Sequence, residues 1–196
     1  MLRQTSLAAL LVAAFMVPAS GAQAYILAPY VGVGIGSSTS NVRVGLDEGG
    51  TYRRSLNGDF SYVFSAGFQI RAVPLIRPRI EFEYANLTSG SGDYDGRVTG
   101  YGVNGFISLP IMPIVRPYVG VGMMNVRQRF DGIRAESNTV PQYMVGFDLD
   151  IPMIPIAGSI EWRYMNLGAA DVTGEPGVAS LRGSVSSILA KVRVQF

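Results

Sequence analysis

The sequence predicts an all-β protein, an eight-stranded antiparallel up-and-down transmembrane β-barrel that follows a cleavable signal peptide. Three observations carry this prediction. Segments of about ten residues alternate between apolar and polar side chains, which is the pattern of strands with one apolar face. The connections between them alternate between short proline-rich turns and long polar loops. The last segment, residues 186–196, is itself such a strand and ends on an aromatic side chain.

Residues 1–24 have the features of a secretory signal peptide. Arg3 provides a short basic region, residues 7–17 are apolar, and residues 22–24 read Ala-Gln-Ala, a typical cleavage pattern. The apolar run is too short for a spanning helix, which needs about 18 residues or more. We therefore expect residues 1–24 to be cleaved after export. One barrel domain over residues 25–196 should then remain, located outside the cytoplasm.

The remaining chain divides into eight alternating segments. In the last of them Ile188, Val192 and Phe196 share one face, whereas Lys191 and Arg193 share the other. The same alternation predicts strands at residues 27–37, 59–71, 79–87, 97–109, 118–130, 140–151, 159–167 and 186–196. No segment after residue 24 offers the about 18 uninterrupted apolar residues of a spanning helix, so a membrane crossing would be made by strands whose apolar faces contact lipid.

The connections between the strands are of two kinds. Tight turns centred near Pro74, Pro113 and Pro155 each contain at least two prolines, and proline cannot donate to a strand ladder. Polar loops are predicted at residues 38–57, 88–96, 131–138 and 168–182. Tight periplasmic turns and longer extracellular loops give an even strand count. The closing strand should then pair with the first strand around residues 30–35, so that no edge remains.

If the apolar faces contact lipid, the opposite faces fill the lumen with charged side chains. The predicted lumenal residues are the acids Glu81, Glu83, Asp148, Asp150 and Glu161 and the bases Arg71, Arg79, Arg163, Lys191 and Arg193. Buried charges must be paired, and an eight-stranded barrel is only wide enough for side chains. We therefore predict an ion-pair network that fills the periplasmic half, in preference to a proton or ion path. The extracellular half should be lined by Gly, Ser, Asn and Met.

The composition excludes several kinds of site. The chain contains neither cysteine nor histidine, so it has no disulfide, thiolate or imidazole metal ligand and no Ser-His-Asp triad. Its formal net charge of +2 gives no footprint for nucleic acid. Glu81 and Glu83 could be paired catalytic carboxylates, but arginines opposite them favour salt bridges. We therefore predict no catalytic residue, no metal and no cofactor.

The two halves of the chain contain similar motifs. PYVGVG occurs at residues 29–34 and again at residues 117–122, and IEFEYANL at residues 80–87 is similar to IEWRYMNL at residues 160–167. Strands one and three therefore match strands five and seven. Duplication of a four-stranded half would explain this pattern.

Several of these segments resemble the opacity-type, OmpA-like eight-stranded outer-membrane proteins. They are PYVGVGIG, FSAGFQIR, RIEFEYANL, the second PYVGVGM, IEWRYMNL and the closing ILAKVRVQF, and the resemblance covers nearly all of residues 25–196. It implies a surface-exposed barrel of the bacterial outer membrane whose loops contact the host or the environment. It also implies outer-membrane lipid, lipopolysaccharide and the barrel assembly machinery as partners, with Phe196 as a signal for insertion.

The leading hypothesis is a non-enzymatic barrel with a structural or surface-interaction role. One alternative is a narrow channel for small apolar solutes, as in the OmpW-like proteins, lined by Val63, Met124 and Met144. Another is an outer-membrane enzyme such as a lipid A deacylase, which the absence of histidine disfavours. The last is a soluble lipocalin-like barrel, in which the apolar faces would point inward.

Overall fold

The computed structural model describes residues 27–46, 51–71, 75–91, 94–112, 114–130, 133–134, 137–150, 154–170 and 178–196. The predicted signal peptide lies outside these described residues. The strands are β1 (Leu27–Leu46), β2 (Thr51–Ile70), β3 (Arg77–Ser91), β4 (Tyr94–Ser108), β5 (Val115–Phe130), β6 (Ile133–Arg134), β7 (Asn138–Asp150), β8 (Ile156–Ala170) and β9 (Val178–Gln195). None of the described residues forms a helix long and apolar enough to cross a membrane.

Eight of these strands close into one antiparallel barrel. The order is β4-β3-β2-β1-β9-β8-β7-β5, and β4 also pairs with β5, so no edge is left, while the two-residue β6 adds to β5. The predicted closure is confirmed, because Tyr30 lies opposite Gln195 and Ile35 lies opposite Ala190. We call the end of the barrel with the proline-rich connections and Phe196 the turn end, and the opposite end the loop end.

The alternation of side chains in the sequence corresponds to the two faces of the barrel wall. On β9, Ile188 and Val192 are exposed, whereas Lys191 and Arg193 between them are almost completely buried. The predicted outward apolar face is therefore confirmed, and a barrel with the reversed faces of a lipocalin is excluded. Phe106 is buried inside the barrel, where it follows the parity of its strand despite being aromatic.

The outward apolar side chains form a continuous belt around the barrel, which we call the apolar belt. Its members are Val31, Val33, Ile35, Phe64, Ile80, Phe82, Tyr84, Tyr101, Val103, Ile107, Val119, Val121, Met123, Tyr143, Val145, Phe147, Ile160, Trp162, Ile188, Val192 and Val194. A strand of about 9–11 residues, tilted by about 45°, crosses a bilayer. Along β4 and the residue after it, the outward apolar side chains run from Tyr101 to Leu109, which matches this length. Aromatic residues mark its edge toward the loop end, as at a membrane interface.

The strands are longer at the loop end than the sequence pattern predicted. The predicted loop at residues 38–57 is mostly strand, since β1 continues to Leu46 and β2 begins at Thr51. The predicted loop at residues 88–96 is also mostly strand, because β3 continues to Ser91 and β4 begins at Tyr94. The predicted loop at residues 168–182 is too long at both ends, since β8 continues to Ala170 and β9 begins at Val178, and residues 171–177 lie outside the described ranges. The loop at residues 131–138 contains the short β6 and the first residue of β7.

These predictions failed because the polarity of the two faces inverts where the strands leave the apolar belt. On β5, Val121 and Met123 point outward within the belt, but Asn125 and Arg127 continue that same outward face. On the inner face, glycines give way to the buried Met124 and Val126. Side chains continue to alternate between the two faces, but beyond the belt the outward face is polar and the inward face is apolar. The segment therefore looks like a polar loop when apolar residues are assumed to face outward.

An apolar cluster fills the lumen toward the loop end. It consists of Val42, Leu56, Val63, Ala85, Leu87, Val98, Met124, Val126, Val140, Met165, Leu167, Val185 and Leu189, all at most 5% exposed. Buried serines also line this half, among them Ser38, Ser40, Ser61, Ser89 and Ser187, so the prediction of Gly, Ser, Asn and Met is correct in part and missed the valines and leucines. Beyond the belt the barrel is surrounded by water and needs an apolar core like that of a soluble barrel. We call this part of the barrel, between the apolar belt and the loop tips, the cored extension.

We expect Val126→Asn to lower the free energy of unfolding by about 1–3 kcal/mol, because it buries an amide among apolar side chains. Thr139→Asn is the matched control, since Thr139 is exposed and lies opposite Asn125, the outward neighbour of Val126. Urea unfolding in lipid vesicles measures both variants. Equal effects of the two substitutions would contradict an apolar core in the extension.

Candidate functional site: the lumenal ion-pair network

Ten charged side chains form ion pairs inside the barrel near the turn end. They are the acids Glu81, Glu83, Asp148, Asp150 and Glu161 and the bases Arg79, Arg116, Arg163, Lys191 and Arg193. We call this set the lumenal ion-pair network. Its five carboxylates and five bases balance, and they come from five strands: β3, β5, β7, β8 and β9. The network therefore ties widely separated parts of the wall together across the lumen.

The inner part of the network contains three carboxylates and two bases. Both terminal nitrogens of Arg163 donate to the carboxylate of Glu83, with 2.7 Å between Nη2 and Oε2, and Nη2 also donates to Glu161 at 2.6 Å. The side chains of all three residues are completely buried. A bidentate arginine–carboxylate pair combines charge with fixed geometry. This part is thus both electrically satisfied and sterically defined.

Lys191 connects the carboxylates of this inner part. Its Nζ lies 2.9 Å from Glu81 Oε1, 3.4 Å from Glu83 Oε2 and 3.5 Å from Glu161 Oε2. An ammonium group carries three donors, so it can serve all three carboxylates at once. Lys191 is the only lysine in the sequence.

The outer part of the network, nearer the turn end, contains two carboxylates and three bases. Asp148 accepts from Arg79 at 3.1 Å and lies 2.9 Å from Arg193 Nη2. Asp150 pairs with Arg116 and lies 4.0 Å from Arg193. The surplus base here offsets the surplus carboxylate of the inner part, so the network is neutral as a whole.

Aromatic rings flank the arginines of the outer part. The Arg79 guanidinium lies 4.2 Å from the centre of the Phe106 ring and 5.0 Å from that of Tyr118. Arg193 lies 5.5 Å from the centre of the Tyr30 ring. Cation–π contacts of this kind stabilise a desolvated guanidinium. The inward exception Phe106 therefore supports the network.

Two tyrosines hold the glutamates in an arrangement that occurs twice. Tyr30 Oη donates to Glu81 at 2.8 Å, and Tyr118 Oη donates to Glu161 at 2.9 Å. Tyr30 and Tyr118 occupy the same place in the two PYVGVG motifs, and the glutamates occupy the same place in the two IE motifs. The sequence repeat is therefore also a repeat of hydrogen bonding.

A glycine opposite each tyrosine provides room for its ring. Gly67 lies opposite Tyr30, and Gly146 lies opposite Tyr118. A Cβ atom at Gly67 would lie 2.8 Å from Tyr30 Oη, and one at Gly146 would lie 2.7 Å from Tyr118 Oη. These distances are too short for carbon and oxygen, and the same Cβ atoms would lie even closer to the backbone carbonyl oxygens of Ile80 and Ile160, so both positions require glycine.

The repeat also places Glu83 and Arg163 at equivalent positions. Glu83 follows Glu81 by two residues, just as Arg163 follows Glu161. The two side chains meet across the lumen and pair with each other. Identical residues at both positions would bring two like charges together in a dry interior, which is strongly unfavourable. The difference between the repeats is therefore required by the contact between them.

The structure brings together nine of the ten residues that the sequence predicted for this network. Arg71 is the exception: it is exposed, and its Nη2 donates to Gln195 Oε1 at 2.6 Å. Its place as the fifth base is taken by Arg116, which sequence reasoning assigned to a turn. Because β5 already begins at Val115, Arg116 lies two residues before Tyr118 on the same inner face. The spacing of two residues between Arg116 and Tyr118 was the sequence signal that could have identified Arg116 as an inward base.

Every carboxylate of the network has at least one cationic partner within 4.0 Å. Because every carboxylate is paired, none is left as a free general base. The charged side chains fill this part of the lumen with fixed charges. Across the described ranges, no group of three or more acidic residues is arranged to hold a metal ion. The arrangement suits structural cross-linking of the wall better than proton transfer or metal binding.

We expect Glu83→Gln and Arg163→Gln each to lower the free energy of unfolding by about 1–3 kcal/mol, because each leaves a buried charge partly unpaired. The double variant should cost less than the sum, by about 1 kcal/mol or more, since the two groups contact each other. Urea unfolding of the four proteins in lipid vesicles gives this coupling energy. Strict additivity would contradict a direct Glu83–Arg163 interaction in the folded barrel.

We expect Gly146→Ala to destabilise the barrel by about 1–3 kcal/mol, because the added methyl group meets both the backbone carbonyl oxygen of Ile160 and the Tyr118 ring. Gly105→Ala is the matched control, since the nearest heavy atom to its Cβ lies 3.9 Å away. The temperature at which each folded form loses its fast electrophoretic mobility compares them. A control as unstable as Gly146→Ala would show that the effect comes from glycine replacement in general.

Solved structures of other proteins share this architecture. Neisserial surface protein A, NspA, is 17% identical, with a TM-score of 0.56 over 86% of this chain and 97% of that one. Outer membrane protein AlkL, solved in lipid bilayers, is 17% identical, with a TM-score of 0.57 over 92% and 95%. The outer membrane protease OmpT of Escherichia coli is 8% identical, with a TM-score of 0.50 over 86% and 97%. At these identities the likeness concerns the fold alone.

No curated protein matches the chain significantly in sequence. The family model described as "Outer membrane protein beta-barrel domain" matches residues 6–189, which is most of the chain. The match agrees with the closed barrel, the apolar belt and the buried charges described above. The chain therefore belongs to the family of outer membrane protein beta-barrel domains and is located in the outer membrane.

Proposed function

We propose that this barrel is a non-conducting, non-enzymatic outer-membrane protein that presents a rigid surface for interactions outside the cell. The observation that carries this proposal is the cored extension. Outer-membrane barrels have short turns on the periplasmic side and longer loops outside the cell, so the turn end faces the periplasm and the loop end faces outward. The contacts of the protein with host or environmental ligands would then be made by the extension and its loop tips.

The length of the extension supports this role. β1 continues for eleven residues from Ile35 in the belt to Leu46. At about 3.3 Å per residue this is on the order of 35 Å of strand, a large part of which stands above the lipid surface. The buried Val42, Leu56 and Val185 hold the extended strands together. A packed extension holds the described ends of its strands together, which lowers the entropy cost of binding at this end of the barrel.

The filled lumen supports a barrel that does not conduct. The lumenal ion-pair network fills the turn end, and the apolar cluster fills the loop end. An ion entering would have to break paired charges or cross apolar side chains, and both steps are costly. The network therefore acts as a plug.

The lumen also supports a role without catalysis. The chain contains no histidine, and each carboxylate of the network is held by a base. OmpT is a protease with a similar barrel, but a shared fold does not carry a shared activity. Enzymatic function would therefore need a site outside the lumen.

Phe196 is the residue proposed to guide insertion by the barrel assembly machinery. It follows β9, and 55% of its surface is exposed on the outer face at the turn end. Its backbone N–H donates to Pro29 O at 2.9 Å, so the ring lies next to the seam between the first and last strands. An aromatic ring at this seam can be recognised before the barrel closes.

We expect Phe196→Ala to slow assembly into membranes severalfold when the assembly machinery is present, while spontaneous folding into lipid vesicles changes little. The measurement is the appearance of the heat-modifiable folded band over time in both systems. Phe60→Ala, on an equally outward aromatic residue at the other rim, is the control. The same delay for both variants would rule out a specific signal.

We expect the wild-type barrel to give no stable conductance in planar bilayers. Arg79→Ala should open brief or noisy currents, because it removes a base that bridges β3 and β7 through Asp148. Arg71→Ala is the matched control, since Arg71 is exposed at the same end. A steady pore in the wild type that Arg79→Ala leaves unchanged would overturn the plug.

The surface role is tested with intact cells that display the barrel. Replacing the tips at residues 47–50, 92–93, 131–132 and 171–177 by Gly-Ser turns should abolish binding to a panel of extracellular-matrix proteins and glycans. The strands and the lumen remain unchanged in this variant, so folding serves as its internal control. No binding by the wild type to any member of the panel would contradict the proposal.

A second candidate is a channel for small apolar solutes, as in OmpW-like proteins. The apolar cluster favours it, because Val63 and Met124 line the lumen there and Met144 lies buried below. Such a solute would need a lateral exit above the ion-pair network. Uptake of an alkane into proteoliposomes containing the barrel, above that of empty liposomes, would support this candidate and contradict the closed lumen.

A further inference from the structure

Outward-pointing arginines occupy the side of the cored extension that is formed by β4 and β5. Arg97 on β4 and Arg127 and Arg129 on β5 are all exposed. Arg97 lies directly opposite Arg129, and Arg127 lies opposite Thr99, which places it diagonal to Arg97. The backbone also places Arg134 of β6 opposite Arg129. We call Arg97, Arg127 and Arg129 the arginine triangle.

The triangle is unfavourable without a counter-charge. Side chains directly opposite each other on antiparallel strands are about 5 Å apart at Cβ, and diagonal neighbours are about 7–8 Å apart, so like charges there repel. In the part of the chain that the structure describes, no carboxylate lies within 4.0 Å of these three guanidiniums. The lumenal arginines, by contrast, are all paired. An anion held between the three guanidiniums would relieve the repulsion.

The position of the triangle relative to the apolar belt indicates which anion this is. The three arginines continue the outward face of the belt toward the loop end, and the last members of the belt on β4 and β5 are Tyr101 and Met123. Arg97 and Arg127 are each four residues further along, which is about 13 Å of tilted strand. The headgroup region extends about 5–8 Å beyond the hydrocarbon on each side. A long arginine side chain can bend back over that distance to place its charge among the headgroups.

We propose that the arginine triangle binds the phosphate groups of an anionic lipid headgroup in the outer leaflet. A guanidinium pairs with phosphate in a bidentate manner, and three of them around one site provide more donors than a single phosphate can accept. A glycolipid that carries two phosphates therefore fits the triangle better than a lipid with one. Asn125 and Thr99, between the belt and the arginines, add polar groups at the level of a sugar headgroup.

The chain contains a matched control for this site. Arg43 on β1 and Arg182 on β9 also lie opposite each other and are exposed, on the other side of the barrel. Arg182 is six residues beyond Ile188, the last member of the belt on β9, which is about 20 Å along the strand. This pair carries the same kind of charge but lies further from the lipid. It should contribute little to binding of a headgroup phosphate.

Native mass spectrometry of the detergent-solubilised barrel tests the proposal by measuring the affinity for single lipids. The probes are diphosphoryl lipid A, its dephosphorylated form, inorganic phosphate and a soluble sulfated polysaccharide. We expect the wild type to bind diphosphoryl lipid A at least tenfold more tightly than the dephosphorylated form. Arg97→Gln/Arg127→Gln/Arg129→Gln should remove this preference, whereas Arg43→Gln/Arg182→Gln should change it less than twofold.

Two further comparisons keep the result interpretable. Heat-modifiable mobility shows that each variant is folded, and Arg129→Lys, which keeps the charge but not the bidentate geometry, should lose an intermediate part of the affinity. Unchanged affinity in the triple variant, or an equal loss in the control pair, would overturn the site. Equal or tighter binding of free phosphate or of the polysaccharide through the same arginines would overturn the lipid as its source.

Discussion

The bidentate contact between Glu83 and Arg163 is the interaction on which the interior of this barrel depends. It joins opposite walls at a completely buried point, and Lys191 and Glu161 are arranged around it. The two residues occupy equivalent positions in a repeated segment, so the contact is possible only because the repeats differ there. The surrounding tyrosines, glutamates and glycines retain the repeat. The close approach of Glu83 and Arg163 requires opposite charges at this one pair of positions, while the residues around it remain similar in the two repeats.

The solvent around the barrel changes along its length, and the side chains follow that change. Within the apolar belt the outside is apolar and the inside is charged; beyond the belt the outside carries asparagine and arginine and the inside carries valine, leucine and methionine. Lipid accepts apolar surface without cost, whereas water does not. The cored extension is therefore a water-soluble barrel continuous with a membrane barrel. This continuity allows the strands to extend beyond the lipid without losing their neighbours in the closed sheet.

The arginines of the molecule are divided between two environments. Those inside are paired with carboxylates and hold the wall together, while the arginine triangle lies outside without a described acidic partner. Unpaired charges next to a membrane surface are suited to an anionic headgroup, because an exposed ion pair contributes binding energy only when its partner is held close by. The same residue type thus serves cohesion in the lumen and, in the proposed site, contact with the lipid.

The alternating pattern of the sequence determined the eight barrel strands, the closure between β1 and β9, and which face of each belt segment points to lipid. It also identified nine of the ten residues of the network, because a period of two assigns every residue of a strand to one side. It could not determine that polar segments such as residues 38–46 continue as strands, since a polar outward face looks like a loop in the sequence. Nor could it pair Glu83 with Arg163, exchange Arg71 for Arg116, or group Arg97 with Arg129. Those contacts depend on the register between strands and on distances across the lumen, which arise only when the sheet closes.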